Sequence, residues 1–513
     1  MIVVAAIAAV IFALARPIAL RFTTAADFAR RRNVWFVLTA AAFLSPSFLV
    51  FTIIAVPVMI WAGRKDTSAV ALCMLLLHVI PPIPVPVPMV GLSRLFEINN
   101  YLLLSFCVLV PAALRLRRTP DPVRIRGWQA TDVLMLAYGA LTSVLYLRTQ
   151  EGIGVTWAAT YGEYLRHAFV FLFKLYVPYF VITRSVSNRR AMFDVLAAFC
   201  LGSCLMAAIA TFETARHWLL YVDMGTRWGY PERLTSYLAR AGQLRALASS
   251  GHPLALGGLL AYAFGFWLVL RTRVDSGLSR WAVSLLLWGG LLAAYSRGPW
   301  LGALCIYVAF LVLRSQSFSR LVRSGSALAF LLALLALTPF AARFVNVLPF
   351  LGGTVDAQSL DYREQLLTSS WSIIKKSPLF GNQDAVLQMQ SLRQGQGIID
   401  LVNTYVGVLL ASGFAGLVLF LSLFGGALLS ARAWSRRILP VDPELGLLGA
   451  SLVACMLGML LMLADGSFVM STEWLFYALV ALAVAYANLC RVSLAQPAGH
   501  SAHRARAALR LRS

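Results

Sequence analysis

The feature that most constrains this chain is its succession of apolar runs. Fourteen of them, 69–81 and 325–342 included, lie between residues 1–20 and 474–489, and most approach the length that crosses a bilayer. A spanning helix needs about 20 apolar residues, fewer when neighbouring helices bury it. Sixty per cent of the 513 residues are hydrophobic and 13% are charged. A soluble domain is about 25% charged, so an ordinary soluble enzyme and a disordered chain are both excluded. The expectation is an all-α polytopic membrane protein, a single integral domain over 1–513 with roughly 12–15 transmembrane segments. The 34–62 run is broken by Ser45-Pro46-Ser47. It reads as a short hairpin across the membrane or as one kinked span.

The charge then orients the spans. The formal net charge is +23, with 44 Lys and Arg. If 34–62 is a hairpin, loops 21–33, 63–68, 115–128, 184–190, 271–280, 314–323 and 432–437 share one face, and with the tail 491–513 they hold 28 of these basic residues. The loops of the other face are longer yet hold 13. The first face is therefore expected to be cytoplasmic. The excess charge is a topology signal rather than a basic patch on a folded surface, so no nucleic-acid partner is expected. Membrane lipid is the expected surround. The first run lacks the basic start of a cleavable signal. The seven cysteines fall in or beside spans, so they suggest neither a disulfide framework nor a metal cluster.

Two loops on the outer, periplasmic face are long: 213–252 and 343–402. Long loops in compact proteins are commonly functional. The second is expected to be partly helical. From Arg363 to Lys376 it carries Leu366, Leu367, Trp371, Ile373 and Ile374 as a stripe that docks on the protein or lies flat at the interface. Three arginines on this face stand out: Arg245 before a span, Arg297 in a tight turn between two apolar runs, and Arg363 in the second loop. The guanidinium is a permanently charged planar fork that matches phosphate oxygens bidentately. Three of them converging would clamp a pyrophosphate. The plain alternatives are lipid head groups, or ion pairs with Asp361, Glu364 or Glu213. Candidates for proton transfer are few. His252 lies beside Pro253 and either serves the site or caps its span. Asp400, close to Asn403 and Tyr405 where the chain re-enters the membrane, suits a general base or a helix cap. Lys174 sits mid-span, where a charge is either functional or paired with a neighbouring helix.

In this order, the pieces resemble the O-antigen ligase / O-antigen polymerase (Wzy-type) superfamily of bacterial polysaccharide assembly. The resemblance covers 245–416. It rests on Arg245 to Gly257, Tyr295-Ser296-Arg297-Gly298, and Arg363 with Trp371 and Pro378-Leu379-Phe380-Gly381. It continues in Asn403-Thr404-Tyr405 and Gly413-Phe414-Ala415-Gly416. It implies a GT-C-like glycosyltransferase of the bacterial inner (cytoplasmic) membrane, working at the periplasmic face on undecaprenyl-pyrophosphate-linked glycans. No metal and no cofactor is implied. Arg245, Arg297 and Arg363, with His252, Asn403 and Tyr405, would hold pyrophosphate and glycan. Arg297 would also stabilise the leaving group, and Asp400 would be the base. A repeat-unit flippase and a chain-length regulator are the implied partners. Ligases of this group carry a histidine immediately before the asparagine, where this chain has Val402. The expectation is therefore a polymerase of exopolysaccharide or O-antigen repeats. A ligase acting on lipid A core or another acceptor is the alternative. A transporter of the same lipid-linked sugars is a further one, but the chain shows no inverted repeat and Lys174 alone as a midplane charge.

Overall fold

The computed structural model describes residues 1–89, 92–118, 124–125, 127–148, 157–229, 239–240, 243–314, 357–393, 399, 401–469 and 472–495. The 325–342 run, Asp400 and most of the 491–513 tail lie outside them. The helices are α1 Ile2–Ala19, α2 Ala25–Leu44, α3 Phe48–Lys65, α4 Ala69–Leu76, α5 Asn100–Leu104, α6 Val110–Arg118, α7 Ala130–Leu145, α8 Trp157–Val170 and α9 Val177–Ser185. They continue with α10 Arg189–Arg216, α11 Val222–Arg227, α12 Pro253–Leu270, α13 Gly277–Ala293, α14 Arg297–Arg314, α15 Ala357–Lys376, α16 Thr404–Ile438, α17 Pro443–Asp465 and α18 Thr472–Ala495. Single π-helical turns join α5 to α6 (Ser105–Leu109) and α8 to α9 (Phe171–Tyr176). Two small antiparallel hairpins complete the elements, Val85–Met89 with Leu92–Ile98 and Ala239–Arg240 with Gln243–Leu244.

Among the described residues nine helices are long and apolar enough to span a membrane, and three shorter apolar helices accompany them. The fold is all-α and polytopic. The central helices α10, α12, α17 and α18 are mostly buried, whereas α1, α3 and α14 expose most of their length. Exposed Leu14, Ile53 and Val308 on these outer helices suit hydrocarbon contact.

The 34–62 run is a hairpin of two full helices, α2 and α3, turned at Ser45-Pro46-Ser47. One expectation needs correction here. The arginine-rich stretch 21–33 is not a loop, because α2 begins inside it at Ala25, capped by Thr24 accepting from Asp27 N–H at 3.1 Å. The charges fit a helix because they are neutralised there. Buried Arg31 donates to Asp66 at 2.7 and 2.9 Å and to Asp194 at 2.7 and 2.9 Å. Two more ion clusters lie at the same level. Arg184 holds Asp132 at 2.5 and 2.8 Å, and Arg189 and Arg273 share Glu444. Arg21 reaches Asp275 at 2.6 Å. These contacts put the basic loops on one face, as the charge count requires. The amino terminus sits near Arg227 and Asp223, and Arg227 donates to Phe43 O at 2.9 Å, so chain start and hairpin turn share the opposite face with the first long loop.

The 69–81 run also differs from expectation. Only Ala69–Leu76 is helical, too short to cross alone at 1.5 Å per residue. Pro81, Pro82, Pro84, Pro86 and Pro88 remove the donors a continuing helix needs. Asn100 satisfies two of the freed carbonyls, donating to Leu77 O and Ile80 O at 3.3 and 3.2 Å.

Candidate functional site

The site is built on the face opposite the ion clusters, where three separate segments meet. The first is the end of the loop before α12. Ala246 N–H donates to Ala293 O at 3.0 Å, and Arg245 donates to Ala294 O at 3.3 Å and to Ser296 Oγ at 3.0 Å. Arg245 is thereby clipped to the residue preceding Arg297. The loop is held from beneath by Glu213, fully buried at the end of α10. Its carboxylate accepts from the N–H groups of Leu220, Leu247 and Ala248 at 2.9, 3.0 and 2.8 Å. Three backbone donors occupy the carboxylate that the sequence offered as an arginine partner.

The second segment is the α13–α14 turn. Tyr295 adopts a left-handed backbone, φ 43°, which is uncommon for a bulky residue and marks a constrained site. Arg297 follows, half-buried. Its Nε is buried and has no hydrogen-bond partner among the described residues. A buried donor without an acceptor is costly and calls for an explanation, an absent ligand being one. Gly298 is the next residue. A Cβ there would lie 2.7 Å from Asp465 Oδ2, so glycine is what lets that carboxylate approach the turn.

The third segment is the second long loop. Arg363 on α15 pairs with Asp465 Oδ1 at 2.9 Å, both side chains being partly exposed. Its partner is therefore Asp465, not Asp361 or Glu364. Asp465 terminates α17 and ties Arg363 to the Gly298 turn. Asp465 is a residue of the site that the sequence did not single out. Its one signal was a carboxylate directly ending an apolar run. The α15 stripe divides. Leu366, Ile373 and Ile374 pack with Met389, Leu392 and Leu410 in a small second core, whereas Leu367 and Trp371 remain exposed.

The other candidates have visible structural work. Asn403 caps α16 by accepting from Tyr405 and Val406 N–H at 2.9 and 3.2 Å, and it donates to Ala464 O at 3.1 Å. Tyr405 OH donates to Leu460 O at 2.9 Å. Together they fasten α16 to the end of α17 and so fix Asp465. His252 caps α12, its Nδ1 accepting from Leu254 N–H at 3.1 Å. The proton must then sit on Nε2, which leaves a neutral donor. Burial, and then the nearby Arg245 charge, push the His252 pKa down to about 4. The depressed pKa gives a sign. Between pH 6.5 and about 4 the unfolded chain takes up a proton that the folded chain refuses, so stability falls as pH drops through that window. His252→Asn keeps a cap and removes the titration. Its thermal unfolding midpoint is expected to lose this part of the acid sensitivity while remaining near wild type at pH 7.5.

Lys174, in the π-helical turn, pairs with Glu473 at 2.6 Å. This is the quiet alternative raised from the sequence. Lys174→Met leaves a carboxylate unpaired in an apolar setting, and a loss of about 1–3 kcal/mol is expected. Lys174→Met with Glu473→Gln should recover most of it, as a double-mutant cycle on purified protein would measure.

A multi-pass membrane protein with arginines from three segments gathered at one turn on its loop face is the class these features define. Residues 282–421 match the family described as O-antigen ligase, which includes the Arg297 turn, Arg363 and the start of α16. That match, over about a quarter of the chain, supports membership of the O-antigen ligase/polymerase superfamily and a role in polysaccharide assembly. No curated protein matches it.

Proposed function

We propose that this chain is a polysaccharide polymerase. It joins undecaprenyl-pyrophosphate-linked repeat units at the periplasmic face of the bacterial inner membrane. The observation that carries this reading is the buried, unmatched Nε of Arg297, set between Arg245 at Ser296 and the Arg363–Asp465 pair at Gly298. Preset cationic donors of this kind suit a pyrophosphate whose negative charge grows as it leaves. In a single displacement the acceptor hydroxyl oxygen bonds to the anomeric carbon as the bond to the pyrophosphate oxygen breaks. The configuration inverts, and the hydroxyl proton passes to a base, for which Asp400 is the candidate. His252, as a neutral donor beside Arg245, fits a phosphate oxygen better than it fits proton abstraction.

The ligase reading is supported by the description of the matching family. Val402, where ligases carry histidine, supports the polymerase. Complementation of a strain lacking the gene separates the two, with Arg297→Ala, Arg363→Ala and Asp400→Asn checked for membrane abundance. For a polymerase, single repeat units accumulate on the lipid carrier. For a ligase, long chains form on the carrier and never reach the acceptor. Normal product from all three variants would reject the site.

A further inference from the structure

On the basic face, at the end of α13 away from the arginine turn of the candidate site, the segment between α12 and α13 and the first turns of α13 line a cavity of about 210 Å³. Arg271, Gly277, Arg280, Trp281 and Ser284 line it. Arg280 and Arg314 both act on Arg271 by like-charge repulsion. Among the described residues none of the three arginines lies within ion-pair distance of a carboxylate. The nearest carboxylates are already engaged. Asp275, on the intervening turn, is paired with Arg21 at 2.6 Å and offers Arg280 only its backbone oxygen, at 3.4 Å. Glu444 is shared by Arg189 and Arg273. The ion clusters of Arg31, Arg184 and Arg189 on this face each contain a carboxylate.

The wall beside this cavity is apolar and turned outward. Leu278, Trp281 and Leu285 are 82%, 69% and 66% exposed. Tryptophan at such a level is a usual interfacial anchor, with its ring among lipid head groups. The floor is fixed, because Trp267 Nε1 donates to Ser284 Oγ at 3.0 Å and Ser284 Oγ donates to Arg280 O at 2.8 Å. A mobile phosphate ion would use the arginines and leave the apolar wall bare. A phospholipid would use both.

We propose that the α12–α14 ends form a head-group site for an anionic glycerophospholipid. The phosphodiester sits against Arg271, Arg280 and Arg314, and the acyl chains run along Leu278, Trp281 and Leu285. Guanidinium groups bind phosphate oxygens in charge-assisted pairs, and basic pockets between spans are a recurrent lipid site.

The test uses the full-length protein in non-ionic detergent, titrated with cardiolipin, phosphatidylglycerol, phosphatidylcholine or inorganic phosphate. Thermal unfolding and native mass spectrometry are the readouts. Cardiolipin or phosphatidylglycerol should raise the unfolding midpoint by roughly 5 °C. Phosphatidylcholine should not, and retained lipid adducts should follow the same order. Arg280→Gln with Arg314→Gln, both at exposed positions, should abolish most of the shift. Arg32→Gln, a half-buried arginine of the same face that does not line the cavity, should leave it intact. An undiminished shift in the double variant overturns the proposal. So does an equal shift with phosphatidylcholine, or one reproduced by inorganic phosphate alone. None of these readouts depends on catalytic activity, so the result stands apart from the polymerase reading.

Discussion

Arg297→Ala is expected to reduce turnover of the lipid-linked donor by about 10²–10³-fold, with little loss of folded protein. The two halves of that expectation come from one observation. Arg297 forms no hydrogen bond or ion pair among the described residues, and its Nε is a buried donor with nothing to bond. Removing it therefore breaks no native pairing and strands no buried carboxylate. On the proposed function, what is lost is a donor aimed at charge that develops during the reaction. Arg297→Lys should recover little, since a point charge does not reproduce the planar fork. Arg363→Ala differs in kind. It frees Asp465, which then presents an unpaired carboxylate to the same turn. A larger rise in KM is expected there, because the added negative charge repels the pyrophosphate before any chemistry occurs. Steady-state kinetics of both variants in proteoliposomes, with circular dichroism and gel filtration as fold controls, would check the contrast. Wild-type turnover by Arg297→Ala would remove this arginine from the reaction.

How much of this was legible beforehand depends on the range of the interaction. Spans are legible because hydrocarbon imposes a length and a composition on each one separately. Face assignment was legible because basic residues collect on one side, and the ion clusters lie where the count puts them. Arg245, Arg297 and Arg363 were legible as odd charges beside apolar runs. Their grouping around Ser296 and Gly298 was not. It depends on Asp465, 102 residues from Arg363 in the chain, and on Glu213, whose three bonds are to backbone N–H groups that no side-chain pattern reports. Helical content was misjudged at 21–33 for a related reason. Arg31 looked like a loop charge because its neutralising partners, Asp66 and Asp194, lie on two other elements.

Gly413→Ala is the second large effect expected, and it acts on assembly rather than on chemistry. The α16 span is broken at Gly413, where φ is 62° and ψ is −164°, a conformation that is essentially glycine's alone. A break inside a membrane helix leaves carbonyls and N–H groups without partners, and each must be satisfied by protein. The loop following α15 does this. Asn382 N–H donates to Leu410 O at 2.6 Å and Gln383 Nε2 to Ala411 O at 3.0 Å, while Pro378 O and Leu379 O accept from Phe414 and Ala415 N–H at 2.8 and 3.0 Å. The Pro378–Gly381 and Gly413–Gly416 segments, read separately in the sequence, are thus two halves of one joint. Its closeness leaves no room for a side chain, because a Cβ on Gly413 would lie 2.4 Å from the Leu379 carbonyl. One on Gly381 would lie 2.5 Å from Leu410 O. These neighbours are backbone and cannot swing aside. Backbone strain together with displacement of the loop makes the expected cost of Gly413→Ala about 3–5 kcal/mol. Gly425, in the same helix with open space around it, supplies the control: Gly425→Ala should be neutral or gain up to about 1 kcal/mol. Thermal unfolding in detergent and limited proteolysis of the 377–393 stretch would measure both. Because this joint seats the loop that carries Arg363, a folded remnant of Gly413→Ala should also lose activity in proportion to the loop's new protease sensitivity. If Gly413→Ala matches Gly425→Ala in both assays, the loop is not stitched into the broken span as the hydrogen bonds describe.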